Sequence, residues 1–421
     1  MNPVHFHLGA QPGDTLEAAL SRTAALPAWA PFDPRAVRFV GRFSQRLLTH
    51  PQVRAFPELA ALGHWFRSAH LRDLAPSCPA ETPGAVTLGR GLAFHIAPAN
   101  VDSVFLYSCL IALLAGNCNW VRLSQKSSPQ FDFLLEVLRS TLEEEVGQAV
   151  AGRIVLLTYP HDAAITSAIS RACLLRVVWG GDETIAALRA IPLRPTAMEV
   201  CFPDRFSAAA LHDDSVLAAS DVALKQLASG FYNDTFWFAQ QGCSSPRLLN
   251  WVGSRAACTA AQQRFWPAVE SEVRSRQAEN SAAMGMARLG AVFELAAAEL
   301  ARPEEPAWPA LFPARVTLEA GLTSGAKSLH CGNGLFLEQN LATLTELAAQ
   351  LSDKEQTLAV FGFSRDELLD FVRALPARAV DRITPVGQAL GFAPLWDGTD
   401  LFALFTRRIA LPAASELRAT P

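Results

Sequence analysis

What this 421-residue chain lacks excludes several classes of function. Its eight cysteines form no Cys-x-x-Cys pair and no cluster with histidine at metal-ligand spacing, so neither a zinc site nor a disulfide framework is indicated. There is no basic block, and the formal net charge is only −4, which points away from nucleic acid or an anionic membrane surface as the main partner. Met1 to His7 shows no basic segment followed by an apolar one; no signal peptide is expected, and the cytoplasm is the default. The fingerprint Gly-x-Gly-x-x-Gly is absent. A membrane span is missing as well. Between Asp102 and Arg122 no residue is charged, but the uninterrupted apolar part is too short and Gly116-Asn117-Cys118-Asn119 ends it with turn residues, so a buried helix is expected there.

Half of the residues are apolar, enough for large buried sheets, and the length calls for two or three structural units. Residues 1–83 carry apolar residues at three- and four-residue spacing over 35–49 and 56–71, which predicts an N-terminal helical region packing on the next domain. From 84 to 209 strand-like and helical patterns alternate: strands at 85–88, 92–96, 120–123, 153–158 and 174–179, with helices at 128–144, 161–171 and 182–191. Such alternation implies a parallel sheet covered on both faces, a doubly wound nucleotide-binding domain. A second α/β unit is expected over 210–378. Its predicted helices are 214–227, 260–277, 287–301, 341–351 and 364–374, and its predicted strands are 316–318, 335–337 and 358–361. Residues 379–421 form a return in which 401–409 reads as a strand.

Within the second unit lies Gln240-Gln241-Gly242-Cys243-Ser244-Ser245-Pro246, between a helical pattern and the apolar run 248–252. A cysteine on a small-residue turn at an element end can present its sulfur to a substrate beside outward-pointing backbone N–H groups. A lone cysteine is more often a small buried hydrophobe, but a buried one has no need of small neighbours on both sides.

This segment resembles the nucleophile turn of the acyl-CoA reductases typified by the fatty-acid reductase of bacterial luminescence, a branch of the aldehyde dehydrogenase superfamily. Segments around Pro98-Ala99-Asn100, Trp179-Gly180-Gly181 and Trp396-Asp397-Gly398 follow in the order that family requires, so the resemblance covers roughly residues 85 to 408. It implies an aldehyde-dehydrogenase-like α/β fold and an enzyme that reduces an acyl thioester, long-chain fatty acyl-CoA first among them, to the aldehyde. Cys243 would attack the thioester and hold the acyl group, and Asn100 would donate to the oxyanion, its alternative reading being a helix cap. Glu199 falls near the superfamily's general-base glutamate, but Val200-Cys201-Phe202 replaces the glycines that normally follow. Proton transfer to thiol or aldehyde is its implied role, and a salt-bridged carboxylate is the alternative. Asp381 to Gly387 and Trp396-Asp397-Gly398 resemble the family's C-terminal signature and are expected to shape the active-site wall.

For the cofactor, Gly180 and Gly181 between strand and helix would let a dinucleotide phosphate approach backbone, with Gly181 standing where the superfamily has serine. The superfamily binds its nucleotide without the glycine fingerprint. In Arg122-Leu123-Ser124-Gln125-Lys126 the resemblance places Arg122 and Gln125 where a lysine and a glutamate commonly hold the adenine ribose. A glutamate repels a 2′-phosphate; Gln125 does not, and Arg122 with Lys126 supplies positive charge, so NADPH is the expected cofactor, with Ser124 beside it. The expected partners are acyl-CoA or another acyl thioester, with room for an acyl-activating or acyl-carrier protein, and a homo-oligomer in which the late strand crosses to a neighbouring subunit. Rival readings are an aldehyde dehydrogenase working oxidatively, a cysteine-dependent acyltransferase or thioesterase, and a silent scaffold.

Overall fold

The computed structural model describes residues 4–79, 81–98, 102–125, 128–303, 312–376 and 378–412. The chain divides into two compact units, Met1–Pro203 with Phe392–Pro421, and Asp204–Gly391. The first boundary falls six residues before the expected 209/210, because the strand opening the second unit begins at Phe206. That strand, Phe206–His212, is alanine-rich and has no alternating pattern, so the sequence does not announce it.

In the first unit the strands are β1 (His5–Leu8), β2 (Ala85–Gly89), β3 (Leu92–Ile96), β4 (Cys118–Arg122), β5 (Ile154–Thr158), β6 (Leu175–Trp179) and β7 (Met198–Phe202). Six of them form a sheet in the order β1-β5-β4-β3-β6-β7, parallel except for β1, which runs antiparallel to β5 at the edge. The chain winds outward from β3 through β4 to β5, then returns to β6 on the other side of β3. This is a doubly wound order with its switch point beside β3. The helix Asp102–Leu114 packs on β3 and β4, and its residues from Phe105 to Leu114, which include no charge, are buried on every side. No helix among the described residues is long and apolar enough to cross a membrane. The expected helix over 56–71 is two, Pro57–Trp65 and Ser68–Leu74, and the Trp65 carbonyl bonds the His70 ring at 2.6 Å.

The second unit holds β8 (Phe206–His212), β9 (Pro246–Val252), β10 (Ala301–Pro303), β11 (Ala314–Leu318), β12 (Leu335–Leu341), β13 (Glu355–Phe361) and β14 (Arg382–Pro385), in the order β10-β11-β12-β9-β8-β13-β14, parallel except for β10. Helices Asp221–Phe236 and Arg255–Ser275 bury Phe231, Phe265 and Trp266 against one face. Ala282–Ala297 and Arg365–Ala374 bury Leu295 and Phe371 against the other.

Three expectations need correction here. The helix expected at 341–351 shrinks to Thr345–Ala348, because β12 continues to Leu341 in register with Val252 of β9. The helix expected at 214–227 is Asp213–Ala218 followed by a new start at Ser220, whose side chain caps Asp221–Phe236. The tail is not one strand. Leu401–Phe405 is helical, capped by Asp400, with Leu401, Phe402 and Phe405 buried at helical spacing; only Thr406–Ala410 is extended, and it pairs antiparallel with β2 of the same chain.

Candidate active site

In the first unit the carboxyl ends of β3, β4 and β6 open on a cavity of about 540 Å³ beside the switch point. Arg122, Ser124, Gln125, Gly180 and Gly181 all line it. Asn100 and Lys126 lie outside the described residues. Arg122 stands over the Tyr159 ring at 4.7 Å, and its Nε is buried without a hydrogen-bond partner. Gly181 caps the helix Asp182–Arg189 with no side-chain bond, and a Cβ built on it meets nothing within 4 Å. A guanidinium nitrogen lacking an acceptor and an open helix N-terminus fit a phosphate-bearing dinucleotide. His161, after β5, completes the rim and escaped the sequence reading; its only signal is its place after the same sheet edge.

Trp396 is buried behind this wall, 5.8 Å from Trp179 and 5.4 Å from Tyr107 between ring centroids. Glu199 is elsewhere. It opens β7 opposite Arg176, at the amino end of the strands, and its oxygens meet Arg176 at 2.5–2.7 Å and Arg189 at 3.3 Å. Of its two readings, this geometry matches the salt-bridged carboxylate.

In the second unit Cys243 sits in the loop between the helix Asp221–Phe236 and β9, before the amino ends of the parallel strands. The loop bends through two consecutive left-handed residues, Ala239 (φ 48°) and Gln240 (φ 62°), a conformation costing about 1–2 kcal/mol per residue without compensation. A second loop, His330 to Gly334, compensates. The Gly334 N–H donates to Gln240 Oε1 at 3.0 Å, the Asn333 N–H to the Ala239 carbonyl at 2.8 Å, and Gln241 Nε2 to the Cys331 carbonyl at 3.0 Å. The paired glutamines are struts between the loops. Gly332 at φ +69° favours glycine, and a Cβ there would lie 2.4 Å from Gln241 Nε2, so any other residue would push that strut aside.

Gly242 faces Leu390, whose Cδ2 would stand 3.2 Å from an added Cβ. The segment carrying Leu390 is clamped by Asp234, whose carboxyl accepts the Gly387 and Ala389 N–H groups at 2.6 and 2.9 Å. Burial pushes the Asp234 carboxyl up to about 7. On Cys243 itself, the carbonyl accepts from Ser207 Oγ at 2.7 Å, and Gln356 Nε2 donates to Sγ at 3.5 Å. Four residues on, burial pushes the Arg247 guanidinium down, opposed by Asp204 and by the Cys243 and Cys331 sulfurs.

Among the three partly exposed cysteines the environments differ. Burial pushes the Cys201 thiol to about 11, with Glu199 adding to it. Burial also raises the Cys331 thiol, whose Sγ donates to the Gly332 carbonyl at 3.4 Å, a bond that favours the protonated form. The Cys201 sulfur is bonded by the exposed Arg189, whereas the Cys243 sulfur faces the buried Gln356 amide. His330 offers no base. Its Nδ1 accepts from Gly332 N–H and its Nε2 donates to the Leu335 carbonyl, while burial and then the Arg247 charge hold the imidazole down at about 3.

The candidate residues thus gather at a cavity on one sheet edge in the first unit and at a cysteine turn in the second. A model of the acyl-CoA reductase (LuxC) family matches residues 81–408. The chain belongs to that family. No curated protein matches it in sequence. In fold, this acyl-CoA reductase family member resembles an NAD-dependent aldehyde dehydrogenase from Sinorhizobium meliloti (TM-score 0.67, 14% identity, covering 96% of this chain and 88% of that one). It is also similar to a benzaldehyde dehydrogenase from Corynebacterium glutamicum (0.61, 14%, 94% and 89%) and to P. syringae indole-3-acetaldehyde dehydrogenase in complex with NAD+ (0.65, 13%, 94% and 88%). The LuxC-family chain is thus an oxidoreductase with the aldehyde dehydrogenase fold. Gln356 and Ser207 at its cysteine were missed from sequence, being brought there by strand pairing and not by any motif.

Proposed function

We propose that this enzyme reduces a long-chain fatty acyl-CoA to the aldehyde with NADPH, through an acyl group held on Cys243. The observation that carries the reading is the half-buried Cys243 sulfur with Gln356 Nε2 directed at it, in a chain of the acyl-CoA reductase family. Cys243 Sγ bonds the acyl carbon, the bond to the CoA sulfur breaks, and CoA leaves as the thiolate and takes a proton. The two thioesters are of similar energy, so no ATP is needed. NADPH, when bound, supplies the hydride equivalent that turns the acyl group into the aldehyde and returns Cys243 as thiolate. Arg122, with its unpartnered Nε, is the residue we assign to the 2′-phosphate, beside Gln125, which carries no charge to repel it. Asn100 is proposed as an oxyanion donor on the resemblance alone, and Glu199 as the ion-pair partner of Arg176 and not as a proton carrier.

Two observations support a homo-oligomer: Met286 and Phe293 are exposed seven residues apart on one helix, and the ribbon of β2 with Thr406–Ala410 has only two strands. The locked, neutral His330 speaks against the hydrolase rival, which needs a base for its cysteine. The test supplies NADPH with acyl-CoAs of graded chain length and measures aldehyde directly. Aldehyde formed in step with NADPH loss supports the reading; release of free fatty acid without NADPH loss would establish the thioesterase instead.

A further inference from the structure

Gln356 is the second residue of β13, and the pairing of β13 with β8 is irregular between Glu355 and Leu358, where Gln356 falls. The pairing of β8 with β9 is irregular too, between Ser207 and Ala208. Such bulges re-aim side chains, and here both lie at the cysteine. Ser207 Oγ donates to the Cys243 carbonyl and accepts the Thr357 N–H at 3.2 Å, tying the start of β13 to the nucleophile turn.

The Gln356 side chain is 3% exposed and oriented. Its Oε1 accepts from Ser244 Oγ at 2.7 Å and from Thr357 Oγ1 at 3.5 Å, which leaves Nε2 toward Cys243 Sγ at 3.5 Å. The cysteine turn leaves the carboxyl end of the helix Asp221–Phe236, so it lacks the helix N-terminus that lowers many reactive thiols. A thiolate at this edge needs another stabilising donor.

We propose that the Gln356 amide, oriented by Ser244, is a catalytic hydrogen-bond donor to the Cys243 thiolate. A thiol sulfur is a poor acceptor and a thiolate a good one, so the bond favours the ionised nucleophile and lowers its pKa. The same bond stabilises the sulfur again when it leaves the reduced acyl carbon as thiolate, since a lower-pKa thiol leaves faster. Ser244 is a positioning residue: it holds the amide oxygen away from the sulfur and touches no reacting group in this role.

This proposal rests on Cys243 being the nucleophile, and its test needs neither acyl-CoA nor nucleotide. The rate of Cys243 alkylation by iodoacetamide is followed against pH, with the site read by peptide mass, in wild type, Gln356→Met, Gln356→Glu and Ser244→Ala. Losing a charge-assisted hydrogen bond should raise the midpoint by about one to two pH units in Gln356→Met. Gln356→Glu should raise it further by adding a negative charge, and Ser244→Ala should raise it less, in the same direction. An unchanged midpoint in a folded Gln356→Met overturns the proposal. So does a fall, which would mean that the amide oxygen and not the nitrogen faces the sulfur. Should Gln356→Met not fold, an unchanged midpoint in Ser244→Ala overturns it equally. A shifted midpoint in a protein that never forms acyl-Cys243 would sink the thioester reading and leave the donor standing. An unshifted midpoint in an active reductase would do the reverse.

Discussion

In the first unit the candidate residues stand beyond the carboxyl ends of the parallel strands; in the second they stand before the amino ends. The difference follows from what each edge offers. At a carboxyl edge the crossover helices begin, and the helix N-terminus at Gly181, which has no side-chain cap, turns its positive dipole outward, an arrangement that suits a phosphate. At an amino edge the helices end, so the backbone offers a negative charge little support. Around the cysteine turn there stand instead the Gln356 amide, in contact with the sulfur, and a partner loop that holds two left-handed residues in place. A nucleotide site can be built from backbone, whereas a thiolate at this edge has to be built from side chains that strand pairing brings in.

The largest effect should come from Cys243→Ala, which removes the proposed nucleophile and should lower turnover by about 10⁴-fold or more. Intact mass with acyl-CoA and no nucleotide should show an acyl adduct on wild type and none on the variant. An adduct on Cys258 or Cys331 would move the nucleophile and break the contrast between the edges.

In acid the two units share a liability, since burial keeps an imidazole neutral in each, His95 in the first and His330 in the second. His95, fully buried in β3, meets Ser108 and Asn119 at 3.0 Å each, and burial holds its imidazole down at about 4. With the folded value depressed, the neutral ring is the native form. Stability is therefore intact above the ordinary value near 6.5 and is lost as pH falls toward about 4, by roughly 3 kcal/mol. Chemical denaturation at stepped pH should show this slope in wild type and a flatter one in His95→Asn; parallel slopes would refute the assignment.

Next is the partner loop. Gly332→Ala forces a Cβ against Gln241 at a positive φ and should cost about 1–3 kcal/mol, with slower alkylation of Cys243 as the turn loosens. A melting temperature equal to wild type would mean that the two loops do not depend on each other.

On the nucleotide side, Arg122→Ala should raise the KM for NADPH by about tenfold, the worth of one charge-assisted contact, and that for NADH hardly at all. Gln125→Glu should act in the same direction. Equal losses with both nucleotides would remove Arg122 from the phosphate site. The smallest effect on turnover should be that of Glu199→Gln, which sits at the amino end of β7: about 1–2 kcal/mol less stability, because the buried Arg176 loses its counter-charge, and a rate per folded molecule near wild type. A hundredfold fall in that rate, with the melting curve preserved, would restore Glu199 as a proton carrier.

Local patterns determined a good deal. The apolar runs at 92–96, 154–158 and 175–179 are strands because β-rich segments between turn signals have few alternatives, and their alternation with helices is enough for a doubly wound sheet. Family membership was legible in the seven residues around Cys243 together with the segments at Pro98, Trp179 and Trp396, because each is a short motif contiguous in sequence. Tertiary structure decided the rest. Phe206–His212 is a strand because it is flanked by β9 and β13, not by its own pattern; Leu401–Phe405 is a helix because Leu401, Phe402 and Phe405 find a buried face. Gln356 reaches a cysteine 113 positions away through a bulge, and Glu199 is drawn away from the nucleotide edge by Arg176. Contacts of that range depend on strand order and register, which no local window of sequence encodes.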